Sequence, residues 1–245
     1  MPVQNPAARL TQRLQRTCTL SGADVRAIEA LPFHLREYGS DTDIVREGDR
    51  PSQSCLVVEG CLYRFNVMGN GKRQVLSFNY PSDIPDLQSF HLGKMDHNLG
   101  TLTKSVVAFI PHDGLAELTD HHPRIAACLW RESHADAALS RQWIVNLGRR
   151  SALSRVAHLL CEQALRLKQI GLGDETSFQW IFTQAVLADA TGLSVVHVNR
   201  MLQQLRTKRL IGAYDSKTLT IPDWEGLVRT AEFDPTYLHL DRPTK

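Results

Sequence analysis

Residues 183–209 read TQAVLADATGLSVVHVNRMLQQLRTKR, and this stretch decides the fold. It divides into two short amphipathic helices joined by a tight turn, the second running into a basic end. Leu187, Ala188, Leu193, Val198 and Met201 fall where a helix-turn-helix needs inward-facing residues. Ala188 is small where the second helix must cross close to the first. Gly192 supplies the turn, because a positive φ costs glycine little. Thr183 and Ser194 stand as N-caps of the two helices. The remaining face of the second helix carries Val195, Val196, His197, Asn199 and Arg200, then Gln203, Gln204 and Arg206. A solvated helix would carry more Glu and Lys. This face suits a DNA major groove, where Arg bonds a guanine edge or a phosphate and Asn bonds an adenine edge.

The segment after Arg209 supports the same reading. Leu210, Ile211 and Gly212 lead into a short strand, Asp215-Ser216-Lys217 makes a turn, and residues 218–221 form a second strand. Two short strands behind a recognition helix make a wing. An α-hairpin inside some other helical domain would give the first pattern but leave the second without a reason.

The chain has 245 residues, comfortable for two domains, with a hydrophobic fraction of 42% and a charged fraction of 22%. These are ordinary values for a globular protein. Net charge is only +2, so DNA binding requires a local patch, and the chain supplies one between Arg200 and Arg209. Residues 1–16 (MPVQNPAARLTQRLQR) lack the apolar core of an export signal, and no apolar run is long enough to span a bilayer. The expected location is the cytoplasm, with no membrane partner. Cys18, Cys55, Cys61, Cys128 and Cys161 contain no CxxC pair and read as separate thiols in a reducing compartment, without a zinc site.

Further upstream, residues 21–31 form a short helix with Ser21 and Asp24 spaced as a capping box. From Phe33 the pattern changes to short strands punctuated by Glu47-Gly48-Asp49, Glu59-Gly60, Gly69-Asn70-Gly71 and Pro81-Ser82-Asp83. That rhythm predicts a small antiparallel barrel or jelly roll closing near Pro111. Residues 123–147 then predict one long helix, with Ile125, Leu129, Glu132, Asp136, Leu139, Trp143 and Asn146 recurring at three- and four-residue steps. A stripe of this length, with Ala135, Ala138 and Gln142 alongside, suits pairing with a second copy of the chain, or else packing on the barrel. Gly148-Arg149-Arg150-Ser151 breaks the pattern as a hinge, and 152–169 begins the DNA-binding domain. Residues 224–230 predict a short extra helix, followed by a tail whose aromatics dock. The expected fold class is thus α+β: an N-terminal antiparallel β-barrel over 1–120, a long dimerisation helix over 121–148, and a winged helix-turn-helix over 149–245.

This order of elements resembles the CRP/FNR family of bacterial transcription regulators. The likeness runs roughly from Ser21 to Glu225 and is carried by residues 44–60 (IVREGDRPSQSCLVVEG) and 187–200 (LADATGLSVVHVNR). The resemblance implies a homodimer reading a two-fold related site in double-stranded DNA, and RNA polymerase as a possible further partner. On that likeness the DNA-binding residues are Thr183, Ser194, Val195, Val196, His197, Asn199, Arg200, Arg206 and Lys208. Arg200 matches the arginine that ends the family's recognition signature. Val196 stands where better-studied members carry glutamate, and valine can at most touch a thymine methyl. A half-site differing from the family's best-known one follows, with His197 and Asn199 carrying more of the readout.

The resemblance also implies a sensor in the barrel. Cyclic-nucleotide-binding members use a Gly-Glu pair and, several residues on, an Arg-Ser pair. Here Pro85-Asp86 stands where Gly-Glu is expected, and no arginine occurs between Asp83 and Thr103. Burying a phosphate beside aspartate without a guanidinium is costly, and Lys94 is no equivalent fork. The expected pocket (Asp83, Asp86, Leu87, His97) therefore serves an unidentified small molecule rather than cyclic AMP. Cys18 alone before the barrel cannot hold an iron–sulfur cluster. His91, His97, His112, His121 and His122 match no metal spacing and read as surface or capping histidines, so no cofactor or metal is expected. The lack of a His-x-His pair argues against a metal-dependent jelly-roll enzyme. The alternative is a ligand- or haem-sensing barrel whose output is protein–protein contact.

Overall fold

A computed structural model describes residues 5–212 and 218–240. They divide into two compact units, 5–66, 76–137 and 239–240 in one, and 67–75 with the described part of 138–238 in the other.

The first unit is built on strands β1 (His34–Tyr38), β2 (Asp43–Val45), β3 (Gln53–Glu59), β4 (Leu62–Val67), β5 (Arg73–Asn79), β6 (Asn98–Thr101) and β7 (Ser105–Pro111). They form two antiparallel sheets, ordered β1-β7-β3 and β2-β6-β4-β5. β3 pairs with β7 in the register Leu56↔Ala108 and Val57↔Val107. Alternation along these two strands separates two cores. Cys55, Val57, Val107 and Phe109 point into the barrel with Val45, Leu62, Met95 and Leu99. Leu56, Val58, Val106, Ala108 and Ile110 point the other way, into a layer of helices. Strands buried on both faces read as continuous apolar runs, which is why CLVV and VVAFI show no polar alternation. The β-strand turn at Gly60 (φ 87°) lies so close to Lys104 and Ser105 that a Cβ would collide with both.

The helical layer comprises α1 (Pro6–Thr17), α2 (Gly22–Glu29), α4 (His112–His121) and the start of α5 (Pro123–Arg149), with a single turn α3 (Ser89–Leu92) between β5 and β6. α1 buries Ala7, Leu10 and Leu14, spaced three and four apart, and Asn5 caps its start. The capping box expected at Ser21 and Asp24 forms in both directions.

The second unit is centred on α6 (Ala152–Gln169), whose Val156, Leu159, Leu160, Ala164 and Leu167 are buried. Around it lie β8 (Ser177–Gln179), α7 (Gln184–Thr191), α8 (Val195–Thr207), β9 (Thr218–Thr220), α9 (Trp224–Ala231) and a 3-10 turn at Pro235–Leu238. Glu162 of α6 is fully buried and accepts from Trp143 Nε1 at 3.1 Å and Tyr237 Oη at 2.9 Å. Burial raises its carboxyl pKa, while Arg166 and the donors pull it back. Tyr237 stacks on His158 and Phe233 meets the same ring edge-on, so the tail aromatics dock as expected.

Several expectations require correction. α1 and α4 were not anticipated: α1 falls largely within the basic stretch 1–16, whose Ala7, Leu10 and Leu14 are sparse among polar residues, and α4 is too short to show more than three periodic apolar residues. The break expected at Gly148-Arg149-Arg150-Ser151 falls at its end, since α5 runs on through Gly148 to Arg149 and Ser151 caps α6 at Ser154 N. The stripe Ile125, Leu129, Leu139, Trp143 and Asn146 faces inward in its own chain and is buried, so it is no dimer face. The exposed stripe of α5 is Ala127, Trp130, Ser133, His134, Ala137, Ser140, Arg141 and Ile144. The five cysteines are not five separate thiols, since Cys18 and Cys128 form a disulfide. β9 pairs with β8, which precedes the helix-turn-helix, and Gly212 N donates to Thr220 O at 2.9 Å. The turn expected at 215–217 lies outside the described residues.

Leu10 is almost completely buried in the helical layer. Leu10→Ala should therefore destabilise the protein by about 2–5 kcal/mol, from lost transfer energy and the cavity left behind. Urea denaturation of the full chain checks this, and an unchanged midpoint would mean α1 does not contribute to the folded core.

Candidate nucleic-acid interface

The helix-turn-helix is held by its caps and its turn. Thr183 Oγ1 accepts from Val186 N, and Ser194 Oγ accepts from His197 N, both at 3.2 Å. Each fills one of the orphan donors of a helix start. Gly192 adopts the left-handed conformation (φ 64°) and its N–H returns to Ala188 O. Arg155 of α6 secures the same corner, donating to Thr191 O at 2.8 Å and Arg150 O at 3.2 Å. Sequence reading missed Arg155, because a side chain that caps a helix thirty-odd residues away leaves no local pattern.

α8 buries Val198, Met201, Leu202 and Leu205. That apolar stripe fixes what the opposite face presents. Val195, Val196, Asn199, Arg200, Gln203 and Thr207 are exposed on it, and Val196 is 80% exposed. His197 is half-buried and set off from that face, while Leu193 is only partly buried. Thr183 and Ser194 are exposed, with their hydroxyls occupied as caps. Arg206 is half-buried, and Lys208 is exposed at the C-cap. The first turn of α8 holds no acidic residue, so the partial positive charge of the helix start is uncompensated by carboxylate and favours a phosphate. The surface combines protruding apolar, amide and guanidinium groups. Chemically it can touch a methyl, bond base edges bidentately and bond phosphates.

In the barrel, the four expected pocket residues are all buried but do not converge. Asp83 pairs with Arg13 of α1 at 3.0 Å and accepts from Tyr80 N at 2.8 Å. Leu87 packs into the helical layer. Asp86 accepts from Cys55 N at 2.7 Å, and its second oxygen has no hydrogen-bond partner. His97 bonds Asp96 through Nδ1 at 2.7 Å, leaving Nε2 without one. Burial pulls the His97 pKa down, with Arg64 adding to the effect. Arg64 of β4 is the guanidinium absent from 83–103. Its Nε donates to Pro85 O, and its Nη1 donates to both carboxylate oxygens of Asp136 of α5, at 2.9 and 2.7 Å. Neither Arg13 nor Arg64 was identified from sequence, since both arrive from other elements. Among the described residues no group of three or more His, Cys, Asp and Glu could hold a metal ion. No helix among them is long and apolar enough to cross a membrane.

Residues 35–122 match the cyclic nucleotide-binding domain, and residues 154–230 match the Crp-like helix-turn-helix domain. The transcriptional activator protein FnrA of Stutzerimonas stutzeri is 24% identical over 225 residues, 88% of this chain and 91% of that protein. A probable transcriptional activator of Rhizobium leguminosarum bv. viciae is 23% identical, over 79% of this chain and 80% of the relative. The structure of FixK2 from Bradyrhizobium japonicum superposes with a TM-score of 0.74 at 20% identity, over 88% of this chain and all of that one. The Crp-like helix-turn-helix domain and these relatives make the chain a DNA-binding transcription regulator. This chain belongs to the CRP/FNR family.

Asp86 makes the barrel's stability pH-dependent in a defined direction. Burial holds its carboxyl up at about 6, with Cys55 and Arg64 acting against the shift. Below about pH 4 both folded and unfolded chains bind the proton. Between about 4 and 6 the folded chain retains a proton that the unfolded chain releases, so this group's contribution to stability falls as pH rises. Above that window the loss is complete, on the order of 2–3 kcal/mol. Asp86→Asn keeps an acceptor for Cys55 N and should remove this component of the slope. Urea denaturation of both forms from pH 4 to 7 checks it, and parallel profiles would refute it.

Proposed function

We propose that the protein is a homodimeric regulator that reads a two-fold related operator with α8, one copy from each subunit, in the bacterial cytoplasm. The carrying observation is the exposed face of α8, where Val195, Val196, Asn199 and Arg200 stand together above a buried stripe. Asn199 and Arg200 carry base readout, Val196 contacts a thymine methyl, and Arg206 and Lys208 bond phosphates. Thr183 and Ser194 present helix starts to the backbone. Because His197 is half-buried, readout rests on Asn199 and Arg200. The two α8 helices of a dimer would enter successive major grooves on the order of 34 Å apart. Residues 1–120 form the sensor region, 121–148 the dimer helix, and 149–245 the DNA-binding region.

The dimer contact is assigned to the exposed stripe of α5. Trp130, Ala137 and Ile144 recur every seven residues, Trp130 being 64% and Ile144 70% exposed. Ser133 and Ser140 lie between them. A heptad of large and small side chains on one face is what a two-stranded helical seam requires. The names of the two curated relatives above describe activators. Activation brings RNA polymerase in as a further partner.

Cyclic AMP is not the effector in this reading. Arg64 is already engaged by Asp136 and Pro85 O, and the carboxylate of Asp86 would repel a phosphate. A ligand that reached the unpartnered oxygen of Asp86 or Nε2 of His97 would be a neutral or cationic hydrogen-bond donor.

Arg200→Ala tests the α8 assignment. Affinity for a site selected from random duplexes should drop roughly 10- to 100-fold, with little change for non-specific DNA. Equal affinity of both forms for the selected site would sink it. Ile144→Glu tests the seam by placing two carboxylates in one contact. It should shift the protein from dimer to monomer in sedimentation, whereas an unchanged dimer would place the interface elsewhere.

A further inference from the structure

Cys18 follows the last turn of α1, and Cys128 lies one turn into α5, 110 residues away in sequence. Their Cα atoms are 6.1 Å apart, inside the range a disulfide spans, and the two sulfurs are bonded. The same two helices are held together one turn further along α5. Arg13 Nε donates to Glu132 at 2.7 Å, Thr17 Oγ1 donates to Glu132 at 3.4 Å, and Leu14 is fully buried. These contacts involve no sulfur. They keep the two cysteines adjacent whether or not the bond exists.

We infer that Cys18 and Cys128 are a reversible oxidation site, a covalent clasp between α1 and α5 that an intracellular hydroperoxide closes and a thiol reopens. The half-buried Cys18 is the attacked position, and the buried Cys128 is the resolving one. In the first step the Cys18 thiolate displaces water or an alcohol from the peroxide and becomes a sulfenic acid. In the second, the Cys128 sulfur attacks that sulfur and hydroxide leaves, taking up a proton as water. Overall, two thiols and one hydroperoxide give one disulfide, one alcohol or water, and one water. Adjacency makes the second step intramolecular and therefore fast relative to over-oxidation.

The remaining cysteines do not compete. Cys55, Cys61 and Cys161 are buried, and burial pushes the Cys55 and Cys161 thiols well up from their ordinary value. The bond closes a loop that contains every strand of the barrel, so its effect is large in the unfolded chain. It also ties α1 to α5 two residues before Trp130.

The test uses the full reduced chain, one equivalent of hydrogen peroxide, and alkylation followed by peptide mass mapping. The expected product links the Cys18 and Cys128 peptides, leaves Cys55, Cys61 and Cys161 alkylated, and is reversed by millimolar reduced glutathione. Oxidation should raise Tm by roughly 10 °C. Cys18→Ser and Cys128→Ala should each lose the peroxide response while retaining the reduced protein's Tm. Because Cys18 caps α1 through its backbone, Cys18→Ser keeps that cap, and it separates loss of the clasp from loss of folding. Sulfinic acid at Cys18, disulfides between subunits, or an intact link after glutathione would each overturn the proposal.

Discussion

Burial of β3 and β7 on both faces is the constraint on which the first unit depends. One face of each strand fills the barrel, and the other face needs a cover, which α1, α2, α4 and α5 provide. A sheet covered this way cannot slip register by one residue without exchanging the two cores. The helices are therefore part of the barrel's stability. α1, although at the chain's beginning, closes a surface that would otherwise be exposed apolar strand.

The polar groups buried at the edges of this core form pairs between elements. Arg13 joins α1 to Asp83 and to Glu132, and Arg64 joins β4 to Asp136 and to Pro85 O. A buried guanidinium requires such partners, because leaving either side unpaired costs several kcal/mol. The consequence is chemical. The cations nearest the sensor region are already matched by the chain's own carboxylates, which leaves acceptor atoms of Asp86 and His97 unmatched.

In the second unit, a local device and a distant one meet at the same corner. Caps at Thr183 and Ser194 and the left-handed Gly192 shape the helix-turn-helix from within. Arg155 holds it to α6, and the buried Glu162 joins α6 to Trp143 of α5 and to Tyr237 of the C-terminal turn. Rigidity behind α8 lets a few exposed side chains be placed accurately for base contacts.

The helix-turn-helix, its caps, the Gly69-Asn70-Gly71 hairpin, α6 and the Ser21 capping box were legible in the sequence, because each depends on spacing within a few residues. So was the α8 surface, since burying Val198, Met201 and Leu205 leaves one possible outer face. Tertiary structure alone decided the rest. The direction of the α5 stripe depends on which side the barrel occupies, and periodicity is the same for a helix packed inward or outward. The partners of Arg13, Arg64 and Arg155, and the meeting of Cys18 with Cys128, join residues far apart in sequence. Such pairs carry no local signal, because only the packing of whole elements brings them within reach.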